Sequence, residues 1–573
     1  MKMNNRKKLI VGVAAILIAV FAAADLLRVA DPERFFVVRV LEGGGSVEII
    51  GYNGNRTRLR IPSEIQGLPV TAIGEDAFTR GNRPGLGIFR GLLFGLISLV
   101  SDRETAWWYE GHLRSFRVVT IPYGVTYIGE GAFSAHRIRS LTIPESVSYI
   151  GELAFWANSL RRLDIPEGVA HIGRRAFQQN RIRSLVIPGS ITHMGSEAFG
   201  ANRITSVVVQ DGVMEIGSTV FTNNRISSLS LPDSLTQIGA SAFSRNRLAS
   251  LFIPENVSSI GSDAFRENQL ASLSIPEGVT HIGEGAFQQN QLTELAIPQS
   301  VTSIEAAAFS SNRLSAVVIP NGITHIGAGV FSGNELVEVT IPQGVTYIGN
   351  SAFSGNQLTF VSIPYGVTHL GDWAFTNNLL SGVSMPDSLT HIGDMAFGNS
   401  FITVGEELSR NQLSSVIIPP NVTHIGESAF DGNYLTSIII PDSVTYIGRW
   451  AFRGNMLSSA VIPDSVTFIG HAAFRDNQLT EVTIPNNLTE IEPQVFTHNK
   501  LTSVVIPNGV TRIGNIAFEH NQLENIVIPY SVTEIGGRAF QRNQLTHVTI
   551  PNSQAQIAPN SFDSRVSVTR GVE

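Results

Sequence analysis

The chain has 573 residues, of which 15% are charged, with a formal net charge of −7 and no cysteine. The mild acidity and the lack of a basic block in the sequence argue against nucleic acid as a partner. Without cysteine there is no disulfide, no disulfide-linked partner, no thiolate metal site and no cysteine nucleophile.

The N-terminus reads as an address. Lys2, Arg6, Lys7 and Lys8 precede an uncharged run from Leu9 to Ala24, and Ala22-Ala23-Ala24 offers a small-residue cleavage site before Asp25. This is the layout of a secretory signal peptide over residues 1–24. The alternative is an uncleaved signal anchor. Sixteen helical residues at about 1.5 Å each reach roughly 24 Å, short of a hydrocarbon core of about 30 Å, which favours cleavage. Either way the rest of the chain is expected to be exported, to the cell surface, the periplasm or the medium. Residues 25–45 read as a linker.

Residues 46–82 read as an N-terminal cap and first repeat. They contain G-Y-N-G-N from Gly51 and a repeat-like stretch, I-P-S-E-I-Q-G-L-P-V-T-A-I-G, with three extra residues. An insertion over 83–112 follows. It holds the apolar run L-G-I-F-R-G-L-L-F-G-L-I-S-L-V at 86–100 and then Trp107, Trp108 and Tyr109. The run is too short to span a bilayer. It is expected to pack on the first coils as a cap; the alternative is an exposed patch that meets a membrane or protein partner through residues 86–109.

From 113 to 562 one pattern, I-P-x-x-V-T-x-I-G-x-x-A-F-x-x-N-x-L-x-x-V-x, returns every 22 residues. It is interrupted by an insertion near 400–410, read as a side loop, and residues 563–573 read as a C-terminal tail. A fixed period of this length predicts a repeat solenoid of about 20 coils, with short parallel strands, extended segments and short helical turns. Numbered from its Ile, the coil is apolar at positions 1, 5, 8, 12, 13, 18 and 21, as in Ile275, Val279, Ile282, Ala286, Phe287, Leu292 and Leu295. The segment L-x-x-V-x-I predicts a strand that Pro at position 2 ends, because proline cannot donate to the ladder. V-T-x-I predicts a second extended segment, Gly at position 9 a turn, and Ala-Phe a short helical turn that fills the centre. A lone coil leaves both faces of its core wet, so stability is expected from stacking. Asn at position 16 is expected to satisfy turn backbone in its own or the next coil.

These residues resemble the treponemal-type, or BspA-like, leucine-rich repeat, over roughly residues 46 to 562. The resemblance implies a leucine-rich-repeat solenoid of a kind usually surface-exposed or secreted by bacteria or protist parasites, with some members implicated in adhesion to host proteins and other cells. It implies no shared catalytic residues.

Two outward columns are candidate binding surfaces. Position 20 is often Ser, as at Ser228, Ser250 and Ser272, and with position 22 predicts a small, weakly polar, nearly uncharged strip for an extended protein or a glycan. Position 7 collects histidines, and His369, His391 and His424 form a run if the insertion loops out cleanly. Imidazoles so placed can sense pH or hold a metal. No Asp or Glu is read beside them at fixed spacing, so a surface aromatic ladder is preferred and no metal or other cofactor is expected. The chain thus reads as an exported non-enzymatic binding protein, an adhesin-like scaffold with a protein or glycan ligand. The alternative is a structural envelope scaffold docking through residues 86–109.

Overall fold

The fold is described by a computed structural model for residues 32–54, 56–79, 115–399 and 410–571. The leader expected at 1–24, the insertion expected at 83–112 with Trp107, Trp108 and Tyr109, and nearly all of the one expected near 400–410 lie outside the described residues. The chain divides into two compact units, Met1–Leu270 and Ala271–Glu573. Each is a solenoid of 22-residue coils joined by parallel pairing.

The first unit opens with an antiparallel hairpin, Phe36–Val40 against Val47–Tyr52. Val47–Tyr52 then pairs in parallel with Leu68–Ile73, which passes the register to Tyr127–Ile128 and onward. The cap therefore begins earlier than expected. Phe36–Val40, placed in a 25–45 linker, is its outer strand, with Phe36 buried against the rings of Tyr52 and Phe78. At the end of the second unit, Ser567–Arg570 pairs in parallel with His547–Ile550. The expected tail thus continues the solenoid.

Both extended segments of the coil form sheets. The strand before the proline pairs coil to coil, as in Ser184–Ile187 with Ser206–Val209. Positions 7 and 8 form the longer sheet, with seven strands from His325–Ile326 to Phe468–Ile469 in the second unit. Between the sheets lies the phenylalanine column. Phe155 and Phe177 stack with centroids 5.2 Å apart and planes 7° from parallel, both fully buried. A coil contributes one such ring, worth about 1.5–3 kcal/mol when buried, only if neighbours cover both its faces.

The Ala-Phe segment is not helical. Positions 11 and 15 adopt left-handed backbone, as at Leu153 and Ala157, or Arg175 and Gln179. The twist aims the amides of positions 11, 13 and 15 at the next coil. Leu153, Phe155 and Ala157 donate to the carbonyls of Arg174, Ala176 and Gln178 at 2.9, 2.8 and 3.0 Å. A helical turn would point these N–H groups back along its own chain and leave the neighbouring carbonyls unpaired. Two left-handed residues cost roughly 1–2 kcal/mol each, which three inter-coil hydrogen bonds offset.

Glycine at position 9 also has a different reason from the expected turn. A Cβ on Gly173 would lie 2.5 Å from the amide nitrogen of Glu152 in the preceding coil. The residue is small because stacked backbones touch there.

Candidate binding surface

Most coils are locked to their neighbours by the asparagine at position 16, whose place His136 takes in the coil at Ile121, 2.7 Å from the Phe78 carbonyl. Asn180 Nδ2 donates to the carbonyls of Phe155 and Phe177 at 2.9 and 3.1 Å, and its Oδ1 accepts from the Leu160 amide at 3.0 Å. The expected structural role holds, with the preceding coil rather than the next as the second partner. With the core fixed in this way, the outward columns become straight rows.

At position 7 of the second unit, His369, His391 and His424 come together although thirty-three residues separate the last two. The ring centroids are 5.7 and 4.3 Å apart, and Tyr446 and Phe468 continue the stack. The first unit repeats the device with Tyr127, Tyr149, His171 and His193. Face-to-face imidazoles send their in-plane lone pairs out side by side, so they do not converge on one ion. Among the described residues no group of three or more His, Cys, Asp or Glu side chains is placed to hold a metal ion.

Acids do accompany the second-unit run at fixed spacing, contrary to the sequence reading. Asp372, Asp394 and Glu427 each lie three residues after a histidine of the stack. The pattern H-x-x-[DE] was available in the sequence as the signal. Asp372 Oδ1 accepts from the Asp394 amide at 2.9 Å and Asp394 Oδ1 from the Glu427 amide at 2.6 Å, so the two aspartates cap backbone. Burial holds the His391 and His424 imidazoles below the ordinary histidine range. The adjacent imidazole adds to this for each, and nearby Asp394 opposes it. His171 shifts the same way, from burial and then His193.

The strand face is less polar than expected. Ser228, Ser250 and Ser272 are exposed at position 20, each at the start of a strand, and Ser228 pairs with Ser206. At position 22 of the second unit, however, Ile417, Ile439 and Val461 stand 86%, 82% and 65% exposed. Val505 and Val527 resume the row after Thr483. The strip there is aliphatic because position 22 alternates outward from buried position 21, and nothing in the described chain covers it.

Sequence reasoning also missed the arginines of the first unit. At positions 17 and 19 they flank the buried residue 18 on both sides, as in Arg181-Ile182-Arg183. The whole-chain charge concealed them.

An open concavity of about 670 Å³ beside the second insertion is bordered by Asn411, Asp431, Tyr434 and Arg453. Arg453 holds the Asp431 carboxylate with two hydrogen bonds, of 2.9 and 2.6 Å. Burial raises the Asp431 carboxyl above its usual range and the guanidinium works against that. The pair bridges two successive coils, so Asp431 is not a free acid.

Among the described residues no helix is long and apolar enough to cross a membrane. The sequence profile described as "BspA type Leucine rich repeat region" matches six times, over residues 111–226, 214–337, 280–404, 325–458, 404–521 and 451–569. No curated protein matches. Similar solved structures include YopM from Yersinia enterocolitica, at 21% identity and TM-score 0.37, covering 72% of this chain and 86% of that one. A leucine-rich repeat protein from Bacteroides ovatus is similar at 20% identity and TM-score 0.32, covering 96% and 100%. A leucine rich cell surface protein from Faecalibacterium prausnitzii is similar at 20% identity and TM-score 0.26, covering 94% of each.

Proposed function

The chain belongs to the BspA-type leucine-rich repeat family, and from that premise we propose that it is an exported, non-enzymatic binding protein, an adhesin-like scaffold at the cell surface. It meets protein or glycan ligands along its strand face. The observation that carries this reading is the uncovered row Ile417, Ile439 and Val461, where a soluble coil would otherwise present polar side chains. Covering one such side chain is worth about 1.5–3 kcal/mol at most, whereas association costs on the order of 4–15 kcal/mol. Useful affinity therefore needs several coils engaged at once by an extended ligand, and parallel coils at about 4.8 Å supply such contacts in series.

The test is a binding screen of the secreted chain against immobilised extracellular-matrix proteins and a glycan array. Retention that falls in the I417S/I439S/V461S variant supports the reading. A variant that binds as well as the parent, or a parent that binds nothing, counts against it. A second reading, a scaffold docked to the envelope, is favoured by the apolar run at 86–100 with Trp107, Trp108 and Tyr109. Liposome co-sedimentation that disappears on deleting 86–109, with melting unchanged, is the result that selects it.

A further inference from the structure

The first unit carries a charge pattern that the whole chain conceals. Residues 115–250 hold thirteen arginines against nine carboxylates, a net of +4 in a chain of net −7. The arginines are sorted. Position 17 holds Arg137, Arg181, Arg203, Arg225 and Arg247; position 19 holds Arg117, Arg139, Arg161 and Arg183. All nine are exposed. Inward Ile or Leu at position 18 forces its two neighbours outward on one face, since side chains alternate in extended backbone.

Backbone pairing stacks them into rows. The Arg139 amide donates to the Arg117 carbonyl at 2.8 Å, and the Arg203 and Arg225 amides to the Ile182 and Ile204 carbonyls at 3.1 and 2.9 Å. The rows meet around an open concavity of about 340 Å³ lined by Arg137, Arg139, Ser159, Arg161 and Arg181.

The carboxylates of the same coils lie elsewhere. Glu152 and Glu197, at positions 10 and 11, pair with Arg174 and Arg175, and Glu267 pairs with Arg245. Among the described residues no carboxylate pairs with Arg139, Arg161, Arg181, Arg183, Arg203, Arg225 or Arg247, although Asp164 stands exposed three residues after Arg161. The acid-paired Arg174, Arg175 and Arg245 sit at positions 10, 11 and 15 of their coils, and these seven at positions 17 and 19. A long like-charged row of this kind is built for an anion outside the chain.

We propose that these two arginine rows bind a linear anionic polysaccharide, one carrying sulfate or carboxylate groups at short regular intervals. The planar guanidinium fork matches such oxyanions in pairs. Ser140, Ser184, Ser206 and Ser228 border the rows at position 20 and set hydroxyls where a sugar's own hydroxyls pass. Single-stranded nucleic acid fits less well. Such binders interleave aromatic platforms with the basic groups, and positions 17, 19 and 20 between 115 and 250 hold no aromatic residue. The proposal rests on the binding reading above but uses different residues, in the first unit, so the two fail separately.

The test uses the full chain, with heparin, desulfated heparin and a DNA duplex of matched length as probes at one salt concentration. Heparin is expected to bind tightest, with an affinity that falls steeply as salt rises because counterions are released. R139Q/R161Q/R181Q/R183Q should weaken heparin binding by about tenfold or more. The charge-matched control R174Q/R175Q/R245Q/R266Q, whose arginines pair with Glu152, Glu197, Glu267 and Asp263, should weaken it by less than about threefold. I417S/I439S/V461S should leave it unchanged. Circular dichroism melts confirm that each variant is folded; because the row arginines are exposed and outside the core, their melts should match the parent. Equal losses in the row variant and the control, tighter binding of DNA than of heparin, or no heparin binding at all would each overturn the proposal.

Discussion

Asn158 reaches across a coil boundary to Phe133, its Nδ2 donating to the phenylalanine carbonyl at 2.8 Å. Its Oδ1 accepts from the Ile138 amide at 3.0 Å, so one buried side chain satisfies backbone of both signs in the preceding coil. The same geometry recurs at Asn180, Asn202 and Asn224, and through the second unit at Asn334, Asn455 and Asn521. The coil interface is therefore as much a polar lock as an apolar stack.

Asn180→Ala should be costly. It strands the Leu160 amide in a buried site, at about 1–3 kcal/mol, and leaves the Phe155 carbonyl with only its bond from Asn158 Nδ2 at 3.1 Å. Because coils couple mainly to neighbours, hydrogen exchange should accelerate around residues 155–182 and leave distant coils protected. Uniform acceleration along the chain would contradict this.

Gly173→Ala tests close approach rather than conformational freedom. The added methyl meets Glu152 backbone at 2.5 Å, so the coils must part locally. Overpacking of this kind costs about 1–3 kcal/mol. Glu305 and Glu492 occupy position 9 in two coils, so the stack adjusts to a side chain there and the variant should fold with a lowered melting temperature. A melt equal to the parent's would show that the contact carries no strain.

The stacked histidines give stability a pH slope. His391 and His424 have folded pKa values below their unfolded ones, so the unfolded chain binds more protons in the window below about pH 6.5. Their contribution is present above that pH and is lost as pH falls through the folded values. Asp394 beside both imidazoles, and Asp372 beside His391, moderate the loss while they stay ionised. H391F/H424F keeps an aromatic column, as Phe468 already does, and should melt with a shallower pH dependence between pH 7 and pH 5 than the parent. An unchanged slope would place the pH response elsewhere.

Much of the fold is legible in the residues themselves. The 22-residue period, the phenylalanine column and the two extended segments follow from spacing alone, because burial of one side chain per turn writes itself directly into the sequence. The left-handed turns do not. Their positions hold Leu153, Arg175 and Trp373 as readily as Gly285, since inter-coil hydrogen bonds rather than glycine impose the backbone angle. The outer strand Phe36–Val40 is hidden because it pairs antiparallel and outside the period. The histidine run is foreseeable, but its acids escape notice because they follow only some of the histidines: Asp372 and Asp394, but Arg174 and Ser196 in the first unit. The arginine rows are cancelled in the net charge by acids on another side.

On the proposed function, ligand is held by a row of equivalent coils rather than by one pocket. The direct measurement is the affinity of the secreted chain for the matrix protein or glycan that it retains, compared across I417S, I417S/I439S and I417S/I439S/V461S by surface plasmon resonance. A stepwise loss is expected, each substitution weakening binding by a further factor of about three to thirty, with on-rates little changed. A single substitution that abolishes binding, or a triple variant that binds like the parent, would contradict it.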